Sequence, residues 1–238
     1  MSKKIILLKL TGTIFSEGRT HAFTRSFADT LAEQIEQLSA THHFGIVVGG
    51  GDFFRGAESN GSLKLRPSIA HSVGMFGTIM NGIMLYDIFR SHNIATKVLC
   101  ALPCAAAGTY ASQEAIDEAL SNNKTIIFSG GTANPYVSTD TGAIMRALQI
   151  NAMQVWKASS VDGVFSCDPH KDHSACKIPI ISYQEVLDRQ LTFIDQTAII
   201  LARQHHMPIR VFDIFKPKAL INAAADDSIG SIIQEKSS

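Results

Sequence analysis

The chain has no surplus charge of either sign: Lys and Arg together number 21, and so do Asp and Glu. Without such a surplus, broad attraction to nucleic acid or to a membrane surface is not expected, and any group that binds anions has to be local. A disulfide framework is also missing. Cys100, Cys104, Cys167 and Cys176 form no C-x-x-C pair and fall in an apolar strand, a turn and a loop, which suits a reducing cytoplasm. The start, Met1-Ser2-Lys3-Lys4, leads into a short apolar run with no long h-region or cleavage site. No window shows the roughly 18 consecutive apolar residues of a membrane span.

Familiar nucleotide signatures are absent as well. There is no G-x-x-x-x-G-K-[ST], and Phe54 stands where G-x-G-x-x-G would need its third glycine, so neither a P-loop nor a Rossmann fingerprint is present. Histidines are clustered at His42-His43 and His205-His206, with His170 and His173 in a polar loop. Neighbouring histidines diverge, and no Cys/His spacing matches a structural zinc site, so no metal ligated by the protein is expected.

What is present is a globular composition, 45% apolar and 18% charged over 238 residues, long enough for one α/β domain spanning 1–238. Strand-like and helix-like patterns alternate. Residues 5–10 read as a first strand, and Phe23, Phe27, Leu31, Ile35 and Leu38 follow at helical spacing. Strands are then expected at 44–48, 95–102, 125–128, 154–157 and 209–212, with helices at 112–121, 139–150 and 196–205. An apolar stretch covers 73–89, and a polar loop at 168–177 interrupts the sheet. Ser182 and Glu185 have capping-box spacing, Asp195 is placed as a helix N-cap, Pro217 is placed at the first position of a helix, and 228–234 reads as an edge strand. The fold class is therefore α/β, a three-layer αβα sandwich with a mainly parallel central sheet, in which ligands bind beyond the carboxyl ends of the strands.

Three of those strand ends carry glycine: Lys9-Leu10-Thr11-Gly12, the run from Gly49, Gly50 and Gly51 through Arg55 to Gly56, and Ser129-Gly130-Gly131-Thr132. Glycine lets backbone approach an anion closely, and a helix N-terminus presents free N–H groups to it. Three such turns on one edge suggest a polyanionic ligand. Lys9 and Arg55 can deliver charge to one phosphate cluster, or be an ordinary strand-end lysine and a solvated arginine. Phosphoryl transfer needs mainly positioning and charge neutralisation, which makes Lys9 the leading candidate to stabilise a transferring group. Asp140 and Asp195 both lie where helices begin. Either can cap its helix, orient Lys9 or hold water on Mg2+.

In order along the chain, Lys9 to Gly12, the Gly49 to Gly56 turn, Gly74-Met75 with Met80-Asn81-Gly82, Gly131 to Tyr136 with Ser138-Thr139-Asp140, Val161 to Phe165 with Asp168-Pro169, and Pro208 to Phe212 together resemble the bacterial UMP kinases of the amino-acid-kinase family. The resemblance covers essentially the whole length. It implies an ATP site from Lys9, Leu10, Thr11, Gly12, Gly51, Arg55, Ser159, Phe165 and Asp168. It implies a UMP site from Gly50 with Thr132, Ala133, Asn134, Pro135, Tyr136, Val137, Ser138, Thr139 and Asp140, with His71 beside it. Lys9, Arg55 and Asp195 would form the catalytic centre, Phe165 would pack on adenine, and Asn134, Ser138 and Thr139 would bond a uracil edge and a phosphate. By the same resemblance Mg2+ accompanies ATP and the assembly is a homohexamer. The acceptor would lie mainly on the N-terminal part and ATP on the C-terminal part.

The sequence departs from the family's pattern in three places. Thr11 and Thr13 stand for Ser and Glu of the first motif, Ser160 for a lysine, and Ala70-His71 for an acidic residue used on the UMP ribose. A lost hydrogen bond to a charged group corresponds to about 1.5–3 kcal/mol, so UMP affinity lower than is usual for the family is expected unless His71 or Ser72 compensates. The segment 16–23, which helps bind a GTP activator in resembling proteins, keeps Glu17-Gly18 and otherwise diverges, so GTP activation is not expected. Two rival readings remain: a kinase of the same fold acting on a carboxylate or carbamate, and a weakened nucleotide-binding or oxyanion-storage protein.

Overall fold

The structure, a computed structural model, describes residues 3–12, 15, 24–51, 53, 64–167, 169, 172 and 174–235. Its N-terminal half runs β1 (Lys4–Leu10), α1 (Ser26–Leu38), β2 (His42–Val48), α2 (Pro67–Ser91), β3 (Thr96–Cys100), β4 (Thr109–Tyr110), α3 (Gln113–Ser121) and β5 (Thr125–Ser129). There follow α4 (Thr139–Gln149), β6 (Gln154–Ser159), β7 (Val164–Phe165), β8 (Lys177–Ile178), β9 (Ile180–Ile181), α5 (Tyr183–Asp188) and α6 (Gln196–Gln204). The last elements are β10 (Ile209–Asp213), α7 (Ala219–Ala225) and β11 (Ser231–Ile233).

The main sheet has the order β4-β3-β5-β2-β1-β6-β10-β11-β9. Every pairing in it is parallel except β10 with β11. Period-two alternation of the strands sorts side chains between two helical layers. On β1, Ile6, Leu8 and Leu10 join Leu31 and Ile35 of α1, Phe89 of α2 and Leu220 of α7. Leu7 faces the other way, into the layer with Ile144 and Ala147 of α4 and Ile199 of α6. The αβα sandwich expected from sequence is thus the observed one. Lys9 shares its parity with Leu7, and Lys157 of β6 with Val155, so both lysines face the α4 side.

Two expectations are corrected, and two expected regions gain detail. Residues 228–234 do not form an edge: β11 lies between β10 and β9, and β9 takes the edge. The helix near Pro217 begins two residues later, at Ala219, because Lys218 adopts a left-handed conformation (φ 56°, ψ 33°) that no helix can include. The polar loop after Val164 is flanked by a small antiparallel pair, β7 with β8, separate from the main sheet. Finally, α2 is 25 residues long with mean hydropathy 1.2 over its best 18-residue window, long and apolar enough by length and composition to cross a membrane. Half of that window is buried within the protein, and α2 packs as a layer over β3 and β5.

The polar residues inside α2 explain its place. Asn81 Nδ2 donates to Gly49 O at 2.8 Å, and Thr78 Oγ1 accepts from Gly130 N at 2.8 Å while donating to Met75 O. One helix thereby fastens the turns after β2 and β5. Replacing Asn81 with Ala leaves the Gly49 carbonyl without this donor and is expected to cost about 1–3 kcal/mol. Differential scanning calorimetry would register this as a Tm drop of roughly 2–4 °C per kcal/mol.

Candidate active site

Lys9 and Lys157 are register partners on adjacent parallel strands, at the carboxyl ends where ligands of such sheets bind. Two ammonium groups side by side would repel, and the first turn of α4 supplies the counter-charge. Asp140 Oδ1 lies 2.9 Å from Lys9 Nζ and 2.8 Å from Lys157 Nζ, and its Oδ2 lies 3.0 Å from Lys157 Nζ. All three side chains are at most 14% exposed. Burial pushes the Asp140 carboxyl up, but the two lysines outweigh it and hold it at about 2. Burial, aided by the charge of Lys9, brings Lys157 down to about 8 against the pull of Asp140. Two cations and one anion leave a net positive charge in a poorly solvated place, where it acts on an incoming anion more strongly than in water.

Asp140 is therefore not a helix cap. Ser138 caps α4, its Oγ accepting from Thr141 N at 3.1 Å. Asp195 does cap its helix, α6, through Oδ1 accepting from Thr197 N at 2.7 Å and Ala198 N at 3.4 Å. Its other oxygen accepts from the hydroxyls of Ser138 and Thr141, the latter at 2.6 Å. Burial raises its pKa, yet these hydrogen bonds leave it below the usual carboxylate range. One carboxylate thus ties the N-termini of α4 and α6 together, and both helix dipoles bring partial positive charge to the same edge. Among the described residues the carboxylate paired with Lys9 is Asp140, not Asp195.

The glycine turns are as close as their sequence suggests. A Cβ on Gly12 would sit 2.1 Å from Gly51 N, and one on Gly50 would sit 2.5 Å from Gly74 O, so backbone meets backbone with no room for a side chain. Gly130 and Gly131 take φ of 75° and 59°, and Ala133 and Tyr136 are also left-handed, at 62° and 68°. Strain of that kind outside glycine is held by its surroundings and clusters at ligand-binding segments.

Two cavities are lined by residues that follow β2, β5 and β6, and neither has Lys9, Lys157 or Asp140 in its wall. One of about 200 Å3 is walled by Gly50, His71, Val137 and Thr139, all expected of an acceptor site, and by Met75 and Thr78 of α2. Gly51, expected on the donor side, lines this cavity too. His71 and Tyr136 pack ring to ring at 4.9 Å. The other cavity, about 340 Å3, is lined by Val161, Phe165, Cys167, Leu191 and Phe193. Ser159 stands at the end of β6, its Oγ accepting from Val161 N at 3.3 Å. Residues after β2 and β5 line the first cavity and residues after β6 the second, so Lys9, on β1, stands in the strand order between β2 and β6, and Lys157 stands on β6 itself.

Several expected residues have other duties. Leu10 is fully buried in the core, which leaves its backbone alone for a ligand. Ser138 Oγ is engaged by Asp195 and Thr141, Asn134 Nδ2 donates to Thr132 O at 3.0 Å within the turn, and Pro135 is half-buried there. Arg55 and Asp168, with Phe54, Thr13 and the 16–23 segment, lie outside the described residues. Sequence reasoning passed over Lys157. Its signal was a lysine set between Trp156 and Ala158 in a buried strand, a place where a charge is rarely left without purpose. Met75 and Asn81 were named only within the motifs that carry the resemblance, and Thr78 only fell within an apolar stretch.

The architecture and its charged strand ends define a class: an open, mainly parallel αβα protein with positive charge and helix N-termini gathered on one sheet edge. The model of the amino acid kinase family matches residues 4–213, and the chain belongs to that family. It is similar to a uridylate kinase of Marinobacter nauticus, 38% identical over 232 residues covering 97% of this chain and 96% of the relative. Among solved structures it is similar to a UMP kinase from Ureaplasma parvum (TM-score 0.93, 29% identity, 99% and 100% of the two chains). A UMP kinase from Bacillus anthracis is comparable (TM-score 0.93, 27% identity, 100% and 98%).

The depressed pKa of Lys157 has a sign that can be measured. Between pH 8 and its ordinary value of 10.5, the unfolded chain binds more protons at this site than the folded one, so stability attributable to Lys157 rises with pH across that window. Denaturant titrations of wild type and Lys157→Met at pH 8 and 10 should show the mutant's stability advantage shrinking as pH increases. An advantage that stays constant would contradict the assigned environment.

Proposed function

We propose that this protein is a UMP kinase that transfers the γ-phosphoryl of ATP to UMP, giving UDP. The observation that carries the reading is the lysine pair held by Asp140 at the strand ends, on the same sheet edge as an acceptor-type cavity and an apolar cavity suited to a base. In this reading the 200 Å3 cavity takes UMP, with the N-terminus of α4 facing its phosphate. The 340 Å3 cavity takes adenine against Phe165. Lys9 and Lys157 neutralise charge on the transferring phosphoryl, and Asp140 keeps both lysines in place. Asp195 positions the two helix N-termini, and Arg55 adds charge from the β2 turn. No covalent intermediate on the enzyme is required, because transfer of this kind depends on positioning and electrostatics.

Mg2+ fits as an ion carried by the nucleotide, where it would neutralise phosphate charge. Asp140 is occupied by two lysines and Asp195 by four hydrogen-bond donors. That arrangement matches a metal held by phosphates and water rather than by a protein cage. The chain would work as one domain, acceptor mainly on the N-terminal part and ATP on the C-terminal part, within a cytoplasmic homohexamer. The four free cysteines are compatible with that compartment.

The test is ADP release from ATP and Mg2+ with UMP, CMP or dUMP as acceptor. UMP-dependent turnover is expected, falling by about 10²-fold or more in Lys9→Ala. Binding of ATP without turnover on any acceptor would instead favour the storage reading.

Compensation for the missing acidic residue can be narrowed to one side chain. Ser72 Oγ donates to Ser68 O at 3.0 Å within its own helix, whereas His71 lines the cavity. Calorimetric titration with UMP should show weaker binding in His71→Ala, by up to about tenfold for one lost hydrogen bond, and no change in Ser72→Ala. Equal affinities in all three proteins would remove His71 from the acceptor site.

A further inference from the structure

Two of the chain's four cysteines are exposed, Cys167 and Cys176, and they stand at the two ends of the polar loop between β7 and β8. Free cysteine is among the most buried residue types, as Cys100 is here, so two exposed thiols on one loop call for a reason. Along the loop, Cys167, His170, His173 and Cys176 follow one another in steps of three. Each adjacent pair has the two-residue spacer with which a turn of chain chelates one metal ion. The usual zinc spacings divide their donors between two separate turns, and the expectation of no metal ligated by the protein rests on the absence of those. Here all four donors fall within ten residues.

Beyond the pairing of Phe165 with Lys177, the neck of the loop is held by two further bonds. Ser166 N donates to Cys176 O at 2.9 Å, and Cys176 N donates to Ser166 Oγ at 3.0 Å. The same hydroxyl lies 3.9 Å from Cys167 Sγ, so both cysteines adjoin one side chain. The middle of the loop returns to this neck. Asp172 Oδ2 accepts from Cys167 Sγ at 3.5 Å, while its Oδ1 accepts from Ser174 N and Oγ at 2.8 and 2.7 Å. His170 and His173 lie outside the described residues, and among those that are described no group of three such donors is gathered. The imidazoles enter by sequence position: their places in the chain bracket Asp172, which already reaches Cys167.

We propose that this loop binds one Zn2+ ion, anchored by the thiolates of Cys167 and Cys176 and completed by imidazole nitrogens of His170 and His173. Each thiol gives its proton to solvent as the metal binds, so binding tightens as pH rises. Two sulfur and two nitrogen donors suit Zn2+ and disfavour Mg2+, which seeks oxygen. The site is therefore different in kind from that of the ion carried by ATP. Cys167 also lines the 340 Å3 cavity, with Phe165 and Pro169, so a bound ion would fix one wall of the place assigned to adenine. That consequence rests on the proposed kinase reading; the metal site does not.

Titration of the reduced, metal-free full chain with Zn2+ and, separately, with Co2+ as a coloured substitute tests the site without reference to activity. One equivalent of Zn2+ is expected to bind, and Co2+ should show sulfur-to-cobalt charge-transfer absorption together with the visible bands of a tetrahedral site. Even outer partners of metal ligands are worth roughly 10–100-fold in affinity, so Cys167→Ser and Cys176→Ser should each weaken Zn2+ binding by about 100-fold or more. His170→Ala and His173→Ala should each weaken it by about tenfold or more. Cys104→Ser, between β3 and β4, should bind as wild type does, and far-ultraviolet circular dichroism of every variant separates lost binding from lost fold. The absence of a bound equivalent at micromolar metal, a Co2+ spectrum with no charge-transfer band, or unchanged affinity in either cysteine variant would overturn the proposal. So would two histidine variants that both bind as wild type does.

Discussion

Asp140 is the group on which the site depends. Two lysines that are register partners on neighbouring strands would repel by about 3 kcal/mol at a separation of roughly 5 Å and an effective dielectric of about 20, and both are removed from most of the solvent. The carboxylate between them turns that repulsion into a rigid three-member cluster with one net positive charge. Its own position follows from the capping of α4 by Ser138, which puts Asp140 in the helix's first turn, pointing at the sheet. Asp195 fixes that cap in turn by bonding the hydroxyls of Ser138 and Thr141. Charge placement at the strand ends is thus set by a chain of short polar contacts.

The glycine turns impose a second constraint, of shape rather than charge. Backbone-to-backbone approach between the β1 and β2 turns, and between the β2 turn and α2, leaves no volume for side chains. The polar residues of α2 then fasten these turns together. The helix consequently has three distinct sides: apolar packing on the sheet through Leu85 and Phe89, hydrogen bonds to the glycine turns through Thr78 and Asn81, and an outward face on which Phe76 and Met80 are exposed. An amphipathic helix with one buried stripe needs no apolar residues on its far side, which is why that face stands out.

Much of this was legible in the sequence because it rests on local rules. Alternating strand and helix periods gave the layer order, and Ser182-x-x-Glu185 gave a capping box that is formed as expected. Asp195 was read correctly as an N-cap, and two of the three glycine turns, after β2 and β5, line the 200 Å3 cavity. The misplaced elements have equally local causes that the letters do not carry. Lys218 turns left-handed and delays α7, and β9 adds itself outside β11 and removes the edge. Asp140 sits two residues beyond the true cap.

The sequence by itself determined which residues could be inside, where the strands end, and that glycine and lysine stand at those ends, because periodicity, capping and backbone freedom act over a few residues. Only the tertiary structure decided that Lys157 joins Lys9, that one aspartate serves both while the other binds two helices, and that α2 spans three environments. Those outcomes depend on strand order and register. Lys9 and Lys157 are 148 positions apart in the chain and adjacent only because β6 pairs with β1, a choice made by the packing of both faces of the sheet.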